Sequence, residues 1–418
     1  MLRDIQKTET PAGDSLLSFE QFRAGFPVLR EKTYLSICDK MILHDRVRAS
    51  VDVFLDHLAH ATANRVQHET RVSSSREKFA RLMSVAPATV AATRNVSDGI
   101  NTIACAMPWK AGDNVVFSAD AEHPNNIYPW LRQRRRGVEV RSVAPAPDGA
   151  LDVEALLAAM DGNTRVVAVA SVTFAPGHRT DLERLGEACR RKGVLLLVDG
   201  VQSAGILEHD LAAQRVDGFA TSVSKGLLGL YGYGFLYVSP EWVDRLEPAY
   251  LSRPAVVQKT DDHSTMGDFE FAFQPDSRRF EVGSFNLAGA YAADASLDML
   301  LALSTRVIES RVLALAGELN EGLRALGLHV AVPASGPQQS HIVTVGKLNS
   351  GGHGFSTDPL VQPLSEHLAR NGVMHTLRRG QMRFGLHGYN DRSDITRALQ
   401  VAREGIAVAR ARVAAPSP

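Results

Sequence analysis

The sequence predicts an α/β protein, with a mostly parallel central sheet in a large domain joined to a smaller α+β domain. Three observations carry this. Between about residues 90 and 240, short β-rich runs alternate with helical patterns. Several of these runs, Val194 through Val198 above all, are apolar at every position, as strands covered on both faces of a parallel sheet are. After residue 290 the texture changes to long helical stretches, short strands and a Gly-rich loop.

The strands expected in the large domain are residues 114–118, 138–143, 165–170, 194–199 and 234–238. The stretch 181–191 places Leu182, Leu185, Ala188 and Cys189 at helical spacing on one face. In an open sheet of this kind, ligands bind beyond the carboxyl ends of the strands. The later part reads as a helical pattern from 288 to about 326, strands at 328–332 and 341–345, a loop around 351–354, and a terminal helix from 393 to about 413. The organisation that follows is a segment 1–30 joining the small domain, a large domain 31–295 and a small C-terminal domain 296–418.

Lys plus Arg number 46 and Asp plus Glu 46, so the formal charge is zero. That balance offers no electrostatic footprint for nucleic acid or an anionic membrane. The basic runs 132–136 and 190–192 read as exposed helix faces. Cys38, Cys105 and Cys189 are too few and too scattered for a disulfide framework or a zinc site, and no metal is expected. Charges within the first seven residues oppose a secretory signal, and no apolar stretch approaches the roughly 20 residues that cross a bilayer. A cytoplasmic protein is the expectation.

Four features fall where the sheet's carboxyl edge should lie. Asp199 closes an apolar strand, with Gln202 three residues on. Lys225 follows Ser222 and Ser224 and precedes a glycine-rich turn. Asn95 to Asn101 reads as a helix start with Ser97 as its cap, and His123 stands in a strand-to-helix loop. Each alone has a plainer reading: a solvated lysine, a turn aspartate, an N-cap serine, an exposed histidine. In this order, within an α/β pattern, they form the set that pyridoxal phosphate requires. That cofactor needs a lysine for a Schiff base, an acid paired with its ring nitrogen, and an anion site for its phosphate. Lys225, Asp199 and the helix start at Val96 and Ser97 supply these, Gln202 reaches the ring hydroxyl, and His123 stacks on the ring.

These residues resemble the class V, fold type I, pyridoxal-phosphate enzymes, in the branch of cysteine desulfurases, isopenicillin-N epimerases and C–S lyases. The resemblance covers roughly residues 30 to 405 and rests on 95–101, 122–130, 199–202, 222–225, 280–286 and 382–390. It implies that Ser222 also binds the phosphate, and that Ser284 reaches it from the neighbouring subunit of a homodimer with shared active sites. It implies too that Arg383 grips the α-carboxylate of an amino-acid substrate, a task suited to a planar guanidinium. Ser224 stands where a histidine often precedes the lysine, and Val96 replaces a hydroxyl of the usual phosphate pair, contributing its amide instead. Phe174 stands where desulfurases have an asparagine, and with Asn126 it is expected at the substrate.

The desulfurase cysteine has no counterpart in residues 373–381, so persulfide chemistry of that kind is disfavoured. The expected activity is Schiff-base formation at Lys225 and removal of the Cα proton, leading to β-elimination or transamination. An amino-acid epimerase or racemase, and a catalytically silent pyridoxal-phosphate-binding regulatory protein, stay open as alternatives. A nicotinamide enzyme is opposed by the lack of a Gly-x-Gly-x-x-Gly after an early strand. Segment 254–278, with Asp261, Asp262 and His263, reads either as a substrate loop or as a solvated connection. Arg378 and Arg379 read as a solvated basic pair in preference to a contact with an acidic substrate.

Overall fold

The computed structural model describes residues 17–258 and 270–414, with the side chains of 411–414 left aside. Asp261, Asp262 and His263 therefore lie outside the described residues.

Strand β1 (Thr33–Tyr34) belongs to a small ribbon treated below. The central sheet is built from β2 (Val90–Thr93), β3 (Asn114–Phe117), β4 (Glu139–Ser142), β5 (Thr164–Ala170), β6 (Leu195–Asp199), β7 (Gly218–Ser222) and β8 (Gly234–Val238). Their order is β2-β8-β7-β6-β5-β3-β4, and β8 is antiparallel to both of its neighbours while the other pairs are parallel. The five expected strands are present to within a residue or two. Strands β2 and β7 join them, each too short and too mixed in sequence to stand out by pattern.

Alternate residues of each strand feed two apolar layers. Val167, Val169, Leu196 and Val198 face one core, and Val166, Ala168, Leu195 and Leu197 the other. Double coverage explains why β6 reads as an unbroken apolar run. Helix Leu182–Lys192 buries Leu182, Leu185, Ala188 and Cys189 as its spacing predicts. It starts at Asp181, whose side chain accepts the Arg184 amide, and stops at Gly193 with φ 64°.

The helical stretch expected from 288 to 326 is two helices, Leu287–Leu303 and Thr305–Ala325. Ser304 separates them with a φ of 66°, which no helix continues through. The first of these helices packs on the large sheet's outer helices, so residue 295 falls mid-helix. Beyond it, β9 (Ile342–Val345), β11 (Thr376–Arg378) and β12 (Gln381–Gly385) form a three-stranded antiparallel sheet, while β10 (Val373–Met374) pairs with β1. Residues 328–332, expected as a strand, contribute only a bridge between Val330 and Val345. The terminal helix is Arg392–Ala414.

The N-terminal segment is stitched to this smaller sheet. Arg23 pairs with Asp394 at 2.7 Å, and Ser36 bridges Gly385. That stitching carries residues 38 and 39 to the mouth of the large sheet. No described helix is long and apolar enough to cross a membrane.

Candidate active site

Two cavities lie side by side at the carboxyl edge of the central sheet. One, of about 520 Å³, is lined by residues that include Ser97, Asp199, Ser222 and Ser224. The other, of about 470 Å³, includes Cys38 and Arg383. His123, Phe174, Gln202 and Lys225 line both, so the two are lobes of one site.

The first lobe is assembled from strand ends. Strand β2 leads into helix Val96–Ala106, whose cap is Asn95, not Ser97: the Asn95 side chain accepts the Asp98 amide at 2.9 Å. Asn95 is two residues ahead of the expected position, and Ser97 sits inside the first turn, on the cavity wall. The Val96 amide donates to the Ser222 hydroxyl at 2.9 Å, tying this helix start to the end of β7.

Strand β6 delivers Asp199, whose carboxylate accepts the Val201 amide at 3.0 Å. Burial pushes its carboxyl up to about 6, against the opposing pull of the Val201 hydrogen bond and of Lys225. Lys225 follows β7, and burial, reinforced by the Arg383 charge, brings its amine down to about 8. The turn beneath it requires a glycine, because a Cβ at Gly226 would come within 2.5 Å of the Ala204 carbonyl oxygen. His387, beyond β12, holds the same turn, with Nε2 2.9 Å from the Gly226 carbonyl.

His123 caps the turn Pro124–Asn126, and its Nδ1 accepts the Asn125 amide at 3.2 Å. Burial, then the charges of Lys225, Arg383 and Arg378, lower its pKa, which favours a neutral imidazole. Its ring meets Phe174 edge-on at 5.3 Å. Asn126, expected at the substrate, is elsewhere: fully buried, it donates to Glu122 at 2.9 Å and accepts from the Trp130 indole at 3.2 Å. The alternation of a short turn directs Asn125, not Asn126, to the cavity. Behind it Glu122 takes the Ala170 amide at 2.7 Å, and burial raises its carboxyl to about 8.

Arg383 forms the floor of the second lobe and is 2% exposed. Its guanidinium donates to the Thr376 hydroxyl at 3.3 Å and to the Phe174 carbonyl. No carboxylate pairs with it among the described residues, and a buried cation without a counter-charge suits an anionic ligand. Within one chain Ser284 does not line either lobe. It lies on a separate cavity of about 1040 Å³ with Ser252, Arg253 and Glu281.

Two of the wall residues, Cys38 and Asp39, carry no signal in the chain's local pattern for a place at this site. Cys38, Asp39, Arg378 and Arg379 all line the second lobe. Residues 373–381 hold no thiol, yet Cys38 arrives from far earlier in the chain, with Sγ 3.9 Å from the Thr376 hydroxyl. Arg378 and Arg379, expected to be solvated, are both partly buried on this wall.

The residues present fit pyridoxal phosphate. Gln202 donates to the Cys38 carbonyl at 3.1 Å, its Oε1 is buried with no partner among the described residues, and a ring hydroxyl would meet that need. The Asp199 carboxylate has the chemistry to pair with a pyridinium, and Ser97, Ser222 and the helix start suit a phosphate.

Comparison with known proteins points the same way. The family model described as Aminotransferase class-V matches residues 49–398. A probable cysteine desulfurase of Methanothermobacter thermautotrophicus is 32% identical over 72% of this chain and 74% of its own length. An uncharacterized aminotransferase of Bacillus subtilis, YcbU, is 27% identical over 91% of this chain and 96% of its own. Among solved structures, the apo cysteine desulfurase of Thermococcus onnurineus superposes with a TM-score of 0.80 at 22% identity, covering 93% of this chain and 98% of that one.

Proposed function

Because the chain belongs to the class V aminotransferase family and is a pyridoxal-phosphate-dependent enzyme, we propose that it cleaves a β-substituent from an amino-acid substrate, with Lys225 as the proton-transferring base. The observation that carries this reading is the Lys225 amine, brought down to about 8 by burial and placed where the lobes meet. At pH 7 about a tenth of such an amine is neutral and able to take a proton. When bound, the cofactor supplies an electrophilic carbonyl and an electron-withdrawing ring.

The chain's own residues would do the rest. Ser97, Ser222 and the Val96 and Ser97 turn would hold the phosphate, with Ser224 beside them on the same wall. Asp199 would keep a proton on the ring nitrogen, Gln202 would pair with the ring hydroxyl, and His123 would stack on the ring. Arg383 would fix the substrate α-carboxylate, its second oxygen taken by the other arm of the guanidinium. Phe174 would border the side chain. The Cα–H proton would pass to Lys225 Nζ, the electron pair it leaves would form the Cα–Cβ double bond, and the bond from Cβ to its substituent would break with its own pair leaving on that group. The proton then held on Nζ is available to the departing group. His123 lines both lobes, and its lowered pKa favours the neutral ring there.

Ser284 lies away from Lys225 within one protomer, on an open cavity. That is consistent with its serving the phosphate of a second copy in a homodimer.

The test is a panel of amino acids offered to the loaded enzyme without any keto acid. Sustained release of ammonia and a keto acid together with the β-substituent supports elimination. A single turnover, resumed only when a keto acid is added, would make the enzyme a transaminase instead.

A further inference from the structure

We propose that the second lobe recognises a carboxylate at the far end of the substrate side chain, through Arg379 on the wall it shares with Arg383. This rests on the reading of Lys225 and Arg383 just given.

Strands β11 and β12 form a hairpin in which Arg378 pairs with Gln381. The two residues between are Arg379 and Gly380, with φ of 52° and 80°. A two-residue hairpin turn of this hand takes positive φ at both positions, which glycine and asparagine accept readily and arginine does not. The turn thus holds an arginine in a backbone region that suits few side chains. The Arg379 guanidinium is anchored on the cavity rim by the Asn349 side-chain oxygen at 2.8 Å and by the Asp120 carbonyl. Both acceptors are neutral, and among the described residues no carboxylate pairs with its charge.

Arg378 is 17% exposed in its side chain and pairs with Asp39 at 2.5 Å. Asp39 therefore pairs with one arginine of this wall, and among the described residues Arg379 and Arg383 have no carboxylate in ion-pair contact. Arg383 lies at the foot of the same hairpin, opposite Thr376. One cavity thus has a buried cation at its floor and a second at its rim. An amino acid with a single α-carboxylate answers only the first. A substrate whose β-substituent ends in a carboxylate answers both, and its departing group leaves towards the rim.

The experiment compares S-carboxymethylcysteine with its neutral amide, S-carbamoylmethylcysteine, on the loaded enzyme. It also compares glutarate with pentanoate in calorimetric titrations, where no reaction intervenes. The expected results are a preference of tenfold or more in kcat/KM for the acid, and tenfold or more tighter binding of the dicarboxylate. Arg379→Gln should lower kcat/KM for the acid at least tenfold more than for the amide and erase the glutarate preference. Equal handling of acid and amide, or equal losses for both in Arg379→Gln, overturns the proposal. If the amide and acid both turn over and Arg383→Lys impairs both, the underlying reading survives that failure. If neither turns over and neither ligand binds in an Arg383-dependent way, the underlying reading falls with it.

Discussion

Ser222 and Val96 are 126 residues apart in the chain and joined by a 2.9 Å hydrogen bond from the Val96 amide to the Ser222 hydroxyl. This bond locks the first turn of helix Val96–Ala106 to the end of β7, so one strand places both the hydroxyl proposed to meet the phosphate and, three residues later, Lys225. Ser222→Ala leaves the amide unpaired and removes the hydroxyl. The expected outcome is a loss of about 1 kcal/mol in unfolding free energy and weaker cofactor binding by about tenfold, read by denaturant titration and by fluorescence titration of the apo protein with pyridoxal phosphate.

Lys225→Ala should leave the fold intact and remove the cofactor's covalent attachment. Borohydride treatment followed by mass spectrometry should find the phosphopyridoxyl mass on Lys225 of the natural protein and on no residue of the variant. Turnover should fall by roughly 10³-fold or more. Retention of the trapped mass in the variant would show that another amine forms the bond.

Arg383→Lys keeps the charge at the floor of the second lobe and loses the planar fork. A drop of about 10- to 100-fold in kcat/KM is expected, carried by KM, with cofactor affinity untouched. Steady-state kinetics beside a cofactor titration separates the two effects. A cofactor affinity that fell equally would place Arg383 in the cofactor lobe.

Glu122 gives the protein a pH dependence of stability. Its carboxyl titrates near 4.5 when unfolded and is raised to about 8 by burial in the fold. A raised carboxyl stabilises the fold fully below about pH 4.5, and that contribution is lost as the pH climbs through about 8. Between those limits the loss is about 1.4 kcal/mol per pH unit for one proton. Asp199 and Asp217 are raised in the same sense to about 6, so the difference between Glu122→Gln and the natural protein is the informative curve. Urea unfolding from pH 5 to 8 should show a flatter profile in the variant. Parallel profiles would assign the dependence to other groups.

Much of the fold and the site was legible because it is written locally. Five of the central strands are read from runs of apolar residues, and the two missed, Val90–Thr93 and Gly218–Ser222, are four and five residues long with small or polar members. Asp199, Gln202, Ser222 and Lys225 follow strand ends, and a strand end at the carboxyl edge is a position that order along the chain reveals. Asn126 was misplaced because neighbouring residues of a tight turn face opposite ways. Asn125 and Asn126 are indistinguishable in one dimension.

Chain order alone therefore reveals the α/β class, the cofactor chemistry and, Asn125 apart, the polar residues proposed for the first lobe, since each depends on short-range periodicity or on a motif a few residues long. The second lobe depends on folding. Cys38 and Asp39 reach it only because residues 33–36 pair with β10 and with Gly385, and Arg379 only because a two-residue turn swings it onto the rim. The pairings of residues 33–36 join positions more than 300 apart. Packing of the N-terminal segment against the small sheet, together with the turn at Arg379, decides which charges line this lobe.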